Sequence, residues 1–184
     1  MFCATVLPQW PALANNENVR EYVDEITAAS ITVALKPLVF ARERTDLAAN
    51  ARDYITLAPV EINRSGTRRY FWTGYIWSTI DRRGREPLLS PGDQLVLIAD
   101  GRPIPLRADD RSIRDQGVGE PPVPAPTRTA TAVLYAADPE SIAYVSRAEE
   151  LRIELIRSNT NDPFLLWKDA RQSVRAFSER VGGG

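Results

Sequence analysis

Residues 53–80 decide the fold and read, in three parts, DYITLAPVEI, NRSG and TRRYFWTGYIWSTI. In the first part, alternate residues from Tyr54 to Ile62 fall on one face of a strand, and Ile55 and Leu57 fall on the other. The third part is rich in the aromatic and β-branched residues that strands favour. The NRSG segment supplies residues that tolerate the backbone of a tight turn. The stretch therefore predicts a long antiparallel β-hairpin.

Further strands are predicted on both sides of this hairpin. β-branched residues are frequent over residues 26–40, where Pro37 would interrupt the ladder of a strand. Asp100-Gly101 lies between the apolar segments 94–99 and 103–106 and signals a type I′ hairpin turn. The later segments that predict strands are 128–137, 151–156 and 164–167.

Three segments carry helical signals. Residues 18–26 have apolar side chains at i, i+3, i+4 and i+7, which predicts one or two helical turns. Asp138-Pro139-Glu140 supplies an N-cap, a proline at the first helical position and an acid in the first turn, and predicts a helix that ends near Ala148. The apolar positions 170, 174, 177 and 181 predict a C-terminal helix.

These elements predict one β-rich domain over residues 17–184, preceded by an N-terminal tether over residues 1–16. The expected fold class is mainly β, an antiparallel β-sandwich with a short helix between late strands and a C-terminal helix, and the alternative is an α+β fold. With 43% hydrophobic residues, the 184-residue chain can bury one core. Residues 108–127 are rich in proline and are expected to form a long exposed loop that docks on a partner and is not needed for folding.

The composition argues against most catalytic chemistry. The chain has no histidine and one cysteine, so it lacks the commonest general base and metal ligand and can form no internal disulfide. We therefore expect no enzymatic activity, no cofactor and no metal. A net charge of −1 gives no general attraction to nucleic acid, so no nucleic-acid partner is expected. The alternative is a glycosidase-like hydrolase that uses carboxylates, for which Asp53, Glu61 and Asp81 lie on or beside predicted strands.

The N-terminal segment begins Met1-Phe2-Cys3-Ala4-Thr5. A cysteine this close to the start, followed by small residues and a polar stretch, resembles the start of a mature bacterial lipoprotein. The resemblance implies that Cys3 carries the lipid. Two other interpretations stay open, in which Ala12-Leu13-Ala14 is a signal-peptidase site or Cys3 is an ordinary thiol in a frayed terminus.

Four segments in the first half of the chain resemble a class of uncharacterised proteobacterial envelope lipoproteins with a β-rich domain. These segments are Tyr22-Val23-Asp24, Pro37–Arg42, Ala49–Tyr54 and Val60–Gly66. The resemblance implies a secreted domain in the periplasm, anchored at the outer membrane by a lipid rather than by a membrane span. It supplies no catalytic residues to carry over.

The expected function is therefore that of a non-catalytic accessory or protein-binding subunit of a larger envelope assembly. The surfaces expected to contact the partner are the hairpin, whose aromatic residues lie among arginines, and the proline-rich loop. The candidate residues are Tyr70, Trp72, Tyr75, Trp77, Arg82, Arg83, Pro121, Pro122 and Pro124.

Overall fold

The structure, a computed structural model, describes residues 17–80, 87–90, 92–109, 111–158 and 160–183. This described part of the chain forms ten strands and two helices. The strands are β1 (Val19–Val23), β2 (Ser30–Ala34), β3 (Leu38–Glu43), β4 (Arg52–Arg64), β5 (Thr67–Ser78), β6 (Gln94–Ala99), β7 (Arg102–Ala108), β8 (Val133–Ala137), β9 (Leu151–Ile156) and β10 (Asn161–Lys168). The helices are α1 (Pro139–Arg147) and α2 (Arg171–Gly182).

Eight of the strands close an antiparallel barrel in the order β4-β3-β10-β9-β6-β7-β8-β5, and β5 returns to β4. The predicted β-sandwich is therefore wrong, although the mainly-β class is confirmed. The hairpin closes the barrel because β5 pairs with β8 along one edge and with β4 along the other. Alternation along a strand predicts which face is buried, but it does not specify which distant strands pair, so the sequence could not distinguish a barrel from a sandwich.

β4 is long enough to exchange partners along one edge. Its first half pairs with β3 as far as Leu57, and its second half pairs with β2 from Val60 onwards. The carbonyl of Ala51 accepts a hydrogen bond from the N–H of Arg44. The backbone N–H and C=O groups of odd-numbered residues in this segment therefore point towards β3 and β2. Pro59 is one of these odd-numbered residues and lies between the two ladders. No carbonyl of β3 or β2 needs a donor there, so a residue without an N–H is tolerated. Beyond Pro59, β1 and β2 continue as an extension of the sheet outside the barrel.

Two prolines end the pairing between β7 and β8. The N–H of Asp109 donates to the carbonyl of Leu134. The backbone N–H and C=O groups of odd-numbered residues in β7 therefore point towards β8. Pro103 and Pro105 stand at such positions and have no N–H to donate. The ladder is therefore confined to the end of β7. β8 gives way to α1, for which Asp138 is the N-cap as predicted.

Two hydrophobic cores lie on opposite faces of the β4–β5 hairpin. The inner core fills the barrel, and α1 and α2 cover one end of it with the buried residues Val145, Val174 and Phe177. The outer core includes Val33 and Val60 and is covered by residues 111–127, here called the strap. Both faces of the hairpin are therefore buried over much of its length.

The strap makes up most of the loop predicted over residues 108–127, and its middle is buried rather than exposed. Gln116 and Val118 have no exposed surface. Arg69 donates to the side chain and the carbonyl of Gln116 at 2.5 and 2.6 Å. The hydroxyl of Tyr75 donates to the carbonyl of Val123 at 2.5 Å. These contacts make the strap part of the fold, and the expectation of an exposed loop is wrong for this portion.

The predicted helix at residues 18–26 is also wrong, because β1 occupies residues 19–23 and pairs antiparallel with β2. The predicted strand at 26–40 is divided into β2 and β3, with Pro37 between them. The remaining helices are confirmed. The Asp100-Gly101 turn is confirmed too, with positive φ at both residues.

Asp24 fastens the strap to the end of β1. Its buried carboxylate accepts hydrogen bonds from the N–H groups of Gly119 at 2.8 Å, Thr27 at 2.9 Å and Ile26 at 3.0 Å. Burial opposes ionisation, but these donors outweigh it and hold the pKa of Asp24 below its usual value. A Cβ on Gly119 would lie 2.9 Å from the Cβ of Ile26 and 3.0 Å from the carboxylate of Asp24, so this close approach favours glycine.

We expect Asp24→Ala to lower the free energy of unfolding at neutral pH by about 1–3 kcal/mol, because buried N–H groups lose their acceptor. Since the folded-state pKa is lowered, this stabilisation is present above the unfolded pKa of about 3.9 and is lost as the pH falls through the folded value. Urea denaturation from neutral pH down to about pH 3 measures the difference, which should shrink towards acid. Glu25→Ala, at an exposed neighbour, is the control. A difference that does not change with pH would contradict this account.

Candidate functional site

An aromatic surface lies on the outside of the barrel. The register places Leu165, Ala41, Tyr54 and Trp77 opposite one another in a row across β10, β3, β4 and β5. These residues face outwards because they alternate with residues of the inner core. Within this row Ala41 and Tyr54 are buried, Trp77 is half-buried and Leu165 is exposed.

The aromatic rings on this surface are held in place by contacts with one another and with an arginine. Tyr54 and Trp77 stack with ring centroids 4.3 Å apart and an interplanar angle of 15°. Trp167 meets Tyr54 edge-on at 6.5 Å, and the guanidinium of Arg52 lies 4.6 Å from the centre of the Trp167 ring. Leu165 and Trp167 are 63% and 57% exposed. We call Arg52, Tyr54, Trp77, Leu165 and Trp167 the aromatic patch.

A polar cleft of about 250 Å³ lies where the sheet extends beyond the barrel, beside the end of α2. The register places Glu21, Thr32, Glu61 and Tyr70 in a row across β1, β2, β4 and β5. The adjacent row contributes Ser30, Asn63 and Arg68 to the lining, and α2 contributes Arg180 and Val181. The sheet extension thus brings two carboxylates and two guanidinium groups to one site.

Both carboxylates in the cleft are paired with a guanidinium group, but only the pair at Glu21 is within hydrogen-bonding distance. Arg180 donates to Glu21 at 2.6 Å. Arg68 Nε lies 3.7 Å from Glu61, which is too long for a hydrogen bond, and Glu61 is only 6% exposed. Burial raises the pKa of Glu61, and Arg68 and Tyr70 offset this only in part. Burial, followed by the Glu61 carboxylate, raises the pKa of Tyr70.

The carboxylates that the sequence suggested for hydrolysis do not meet. Asp53 is 1% exposed and lies 2.8 Å from Arg44 at the end of the barrel opposite the helices. Glu61 is on the same strand, roughly 26 Å further along at 3.3 Å per residue. Asp81 lies outside the described residues. Asp53 and Glu61 therefore belong to different parts of the molecule.

The structure separates the hairpin residues that were predicted to bind a partner. Trp72 packs in the inner core and Tyr75 in the outer core, at 1% and 2% exposure. Tyr70 lies beside the polar cleft, and Trp77 belongs to the aromatic patch. Arg82 and Arg83 lie outside the described residues.

The three prolines that were predicted to contact a partner differ in their exposure. Pro121 and Pro124 are exposed, whereas Pro122 is buried and its carbonyl accepts a hydrogen bond from Arg20 at 3.1 Å. Cys3 and the rest of the predicted tether at residues 1–16 lie outside the described residues. Two of the three prolines therefore remain available to a partner.

Sequence reasoning missed most of both sites. For the aromatic patch a signal existed, because residues 164–167 are apolar at four consecutive positions and only one face of a strand can point into the barrel. Leu165 and Trp167 are on the face that does not. For Glu21 there was no signal, because the surrounding residues were predicted to be helical and its neighbours in the cleft come from other strands.

Comparison with known proteins gave no match to a protein-family model, a curated protein or a solved structure. Neither helix of the described chain has the length and apolar character needed to cross a membrane. Within the described ranges, no three histidine, cysteine, aspartate or glutamate side chains are gathered so that they could hold a metal ion. Function must therefore be inferred from the aromatic patch and the polar cleft themselves.

We expect Glu61→Gln to leave the free energy of unfolding at neutral pH unchanged or to raise it, because glutamine fills the same space without a buried charge. Burial raises the folded-state pKa, so the stability that protonated Glu61 provides is complete below the unfolded pKa of about 4.3 and is lost as the pH rises through the folded value. Over that range, wild-type protein should lose stability relative to the variant.

Thermal unfolding of both proteins between about pH 4 and pH 8 measures this trend. Glu43→Gln is the control, because the Glu43 side chain is 70% exposed and should produce no such trend. If wild-type protein instead gained stability relative to Glu61→Gln as the pH rises, the prediction would be contradicted. That result would show that Arg68 and Tyr70 make the ionised Glu61 carboxylate stabilising.

Proposed function

We propose that this protein is a non-catalytic, protein-binding subunit of a larger assembly in the bacterial envelope, held at the membrane by a lipid on Cys3. The partner binds the aromatic patch. The observation that carries the proposal is the exposure of Leu165 and Trp167, at 63% and 57%, on a strand that buries Phe164. The lipid and the location rest on the resemblance of the N-terminal segment to bacterial lipoproteins.

The composition and order of the aromatic patch favour a protein partner. Tryptophan, tyrosine and arginine are the residues that contribute most often to the energy of protein interfaces. Binding would remove two large side chains from water, which is favourable by about 25 cal/mol per Å² of apolar surface. Because Tyr54 already stacks on Trp77 and Arg52 already lies over Trp167, little side-chain entropy remains to be lost on binding.

Arg52 adds a charge to this surface. Its guanidinium lies 3.2 Å from Glu43, whose side chain is 70% exposed and can be displaced. Exposed ion pairs of this kind contribute little to stability. An acidic side chain of the partner could therefore replace Glu43 at small cost, and this favours a partner with carboxylates beside its apolar contact.

Hydrolysis is less well supported than binding. A glycosidase of the usual kind needs two carboxylates that flank one bond. Asp53 is engaged by Arg44, and it lies at the other end of β4 from Glu61. The carboxylates suggested by the sequence thus offer no shared substrate position among the described residues.

Photo-crosslinking in a bacterial host, with the native upstream sequence present, tests the proposed partner surface. A photoreactive phenylalanine analogue at position 165 should form a defined adduct with another protein. The same analogue at position 23 should not, because Val23 is equally exposed, at 65%, but lies on β1 away from the aromatic patch. Trp167→Ala should reduce the adduct from position 165 roughly tenfold, which is the loss expected for an interface anchor.

Thermal unfolding of Trp167→Ala serves as the folding control, since surface substitutions change stability by only about 0.5 kcal/mol. Equal adduct yields from positions 165 and 23 would contradict the proposal. An adduct at position 165 that is insensitive to Trp167→Ala would contradict it as well.

A further inference from the structure

The polar cleft and the aromatic patch are separate sites. The patch uses even-numbered residues of β4 such as Tyr54, which face outwards, whereas the cleft uses odd-numbered residues such as Glu61, which share the face of the inner core. The two residues are roughly 23 Å apart along the strand at 3.3 Å per residue. A ligand in the cleft would therefore leave the partner surface free.

The charges in the cleft balance, which favours a neutral ligand. Glu21 and Arg180 satisfy each other at 2.6 Å, and Arg68 accompanies Glu61 at a longer distance of 3.7 Å. An anionic ligand would meet the buried carboxylate of Glu61, and a cationic ligand would meet the guanidinium of Arg68. A neutral ligand with polar groups avoids both conflicts.

The remaining polar groups suit a ligand that both donates and accepts hydrogen bonds. Ser30 and Thr32 carry hydroxyls that do both, and Asn63 carries an amide whose Nδ2 can donate while its Oδ1 accepts from the N–H of Gly66 at 3.1 Å. Val181, at the end of α2, supplies an apolar wall. Adjacent hydroxyl groups on a ring, with C–H groups on its face, match this combination.

Glu61 is the more deeply buried of the two carboxylates in the cleft, and its ion pair with Arg68 is long. It is 6% exposed, and its nearest guanidinium, that of Arg68, forms an ion pair at 3.7 Å, beyond hydrogen-bonding distance. Desolvation of a buried carboxylate is costly when its cation is too distant to hydrogen-bond, and glutamine would fill the same space without that cost. Hydroxyl groups of a ligand would supply the missing donors.

We propose that the cleft binds one neutral saccharide unit, whose adjacent ring hydroxyls donate to Glu61 and accept from Arg68 and Asn63. The volume of about 250 Å³ is smaller than the roughly 300 Å³ at which sites for drug-sized ligands begin, so it suits a single ring. The proposal concerns binding and involves no chemical step, and it does not depend on the proposed partner surface.

Saturation-transfer NMR on the full chain tests this site with the methyl glycosides of common neutral hexoses as probes. At least one glycoside should receive saturation at its ring protons. Glu61→Gln should weaken its binding roughly tenfold, as expected for the loss of a charge-assisted hydrogen bond. Asn63→Ala should weaken it as well. Leu165→Asp, in the aromatic patch, should leave it unchanged.

Amide spectra of each variant establish that it is folded. Glu61→Gln is expected to be at least as stable as wild type, so its loss of binding cannot be attributed to unfolding. The absence of saturation transfer to every glycoside would overturn the proposal, and so would binding that Glu61→Gln does not weaken. Binding of methylammonium in preference to the glycosides would overturn it too, because it would identify the cleft as a cation site.

Discussion

Twelve consecutive residue pairs join β4 to β5, from Asp53 opposite Ser78 to Arg64 opposite Thr67, and the rest of the structure depends on this hairpin. It closes the barrel, because its two strands are the ends of the eight-strand order. It also separates the two cores, since one face lines the barrel and the other lies beneath the strap. A strand pair buried on both faces accounts for the unusual concentration of large apolar residues in residues 53–80.

Missing N–H groups decide where the ladders of this sheet begin and end. Pro59 stands where β4 leaves β3 and takes up β2, and the sheet extension that lines the polar cleft starts there. Pro103 and Pro105 confine the β7–β8 ladder to the end of β7, where α1 follows β8. In each case proline occupies the strand edge at a position where no donor is required, which is how a sheet tolerates it.

The two candidate sites follow from the two faces of β4. Outward-facing residues of β4 and its neighbours form the aromatic patch, in which the buried Tyr54 ring contacts Trp77 and Trp167 while Leu165 and Trp167 remain exposed. Inward-facing residues beyond Pro59 no longer line the barrel and form the cleft instead. There, Glu61 is buried with Arg68 at 3.7 Å, and burial raises the pKa of its carboxyl, which Arg68 and Tyr70 offset only in part. One strand thus presents an apolar surface suited to a protein and a polar site suited to a small molecule.

The sequence by itself determined the local structure. Alternation and turn residues specify the β4–β5 and β6–β7 hairpins, and Asp138-Pro139 specifies the start of α1, because these features depend on neighbours in the chain. Only the tertiary structure decided that the sheet closes into a barrel, that residues 19–23 are a strand and that the strap is buried. It also decided both sites, since the register of separate strands places Leu165 in one row with Tyr54 and Glu21 in one row with Glu61. Pairing between distant segments depends on shape and register across the whole sheet, and periodicity along one segment carries no information about it.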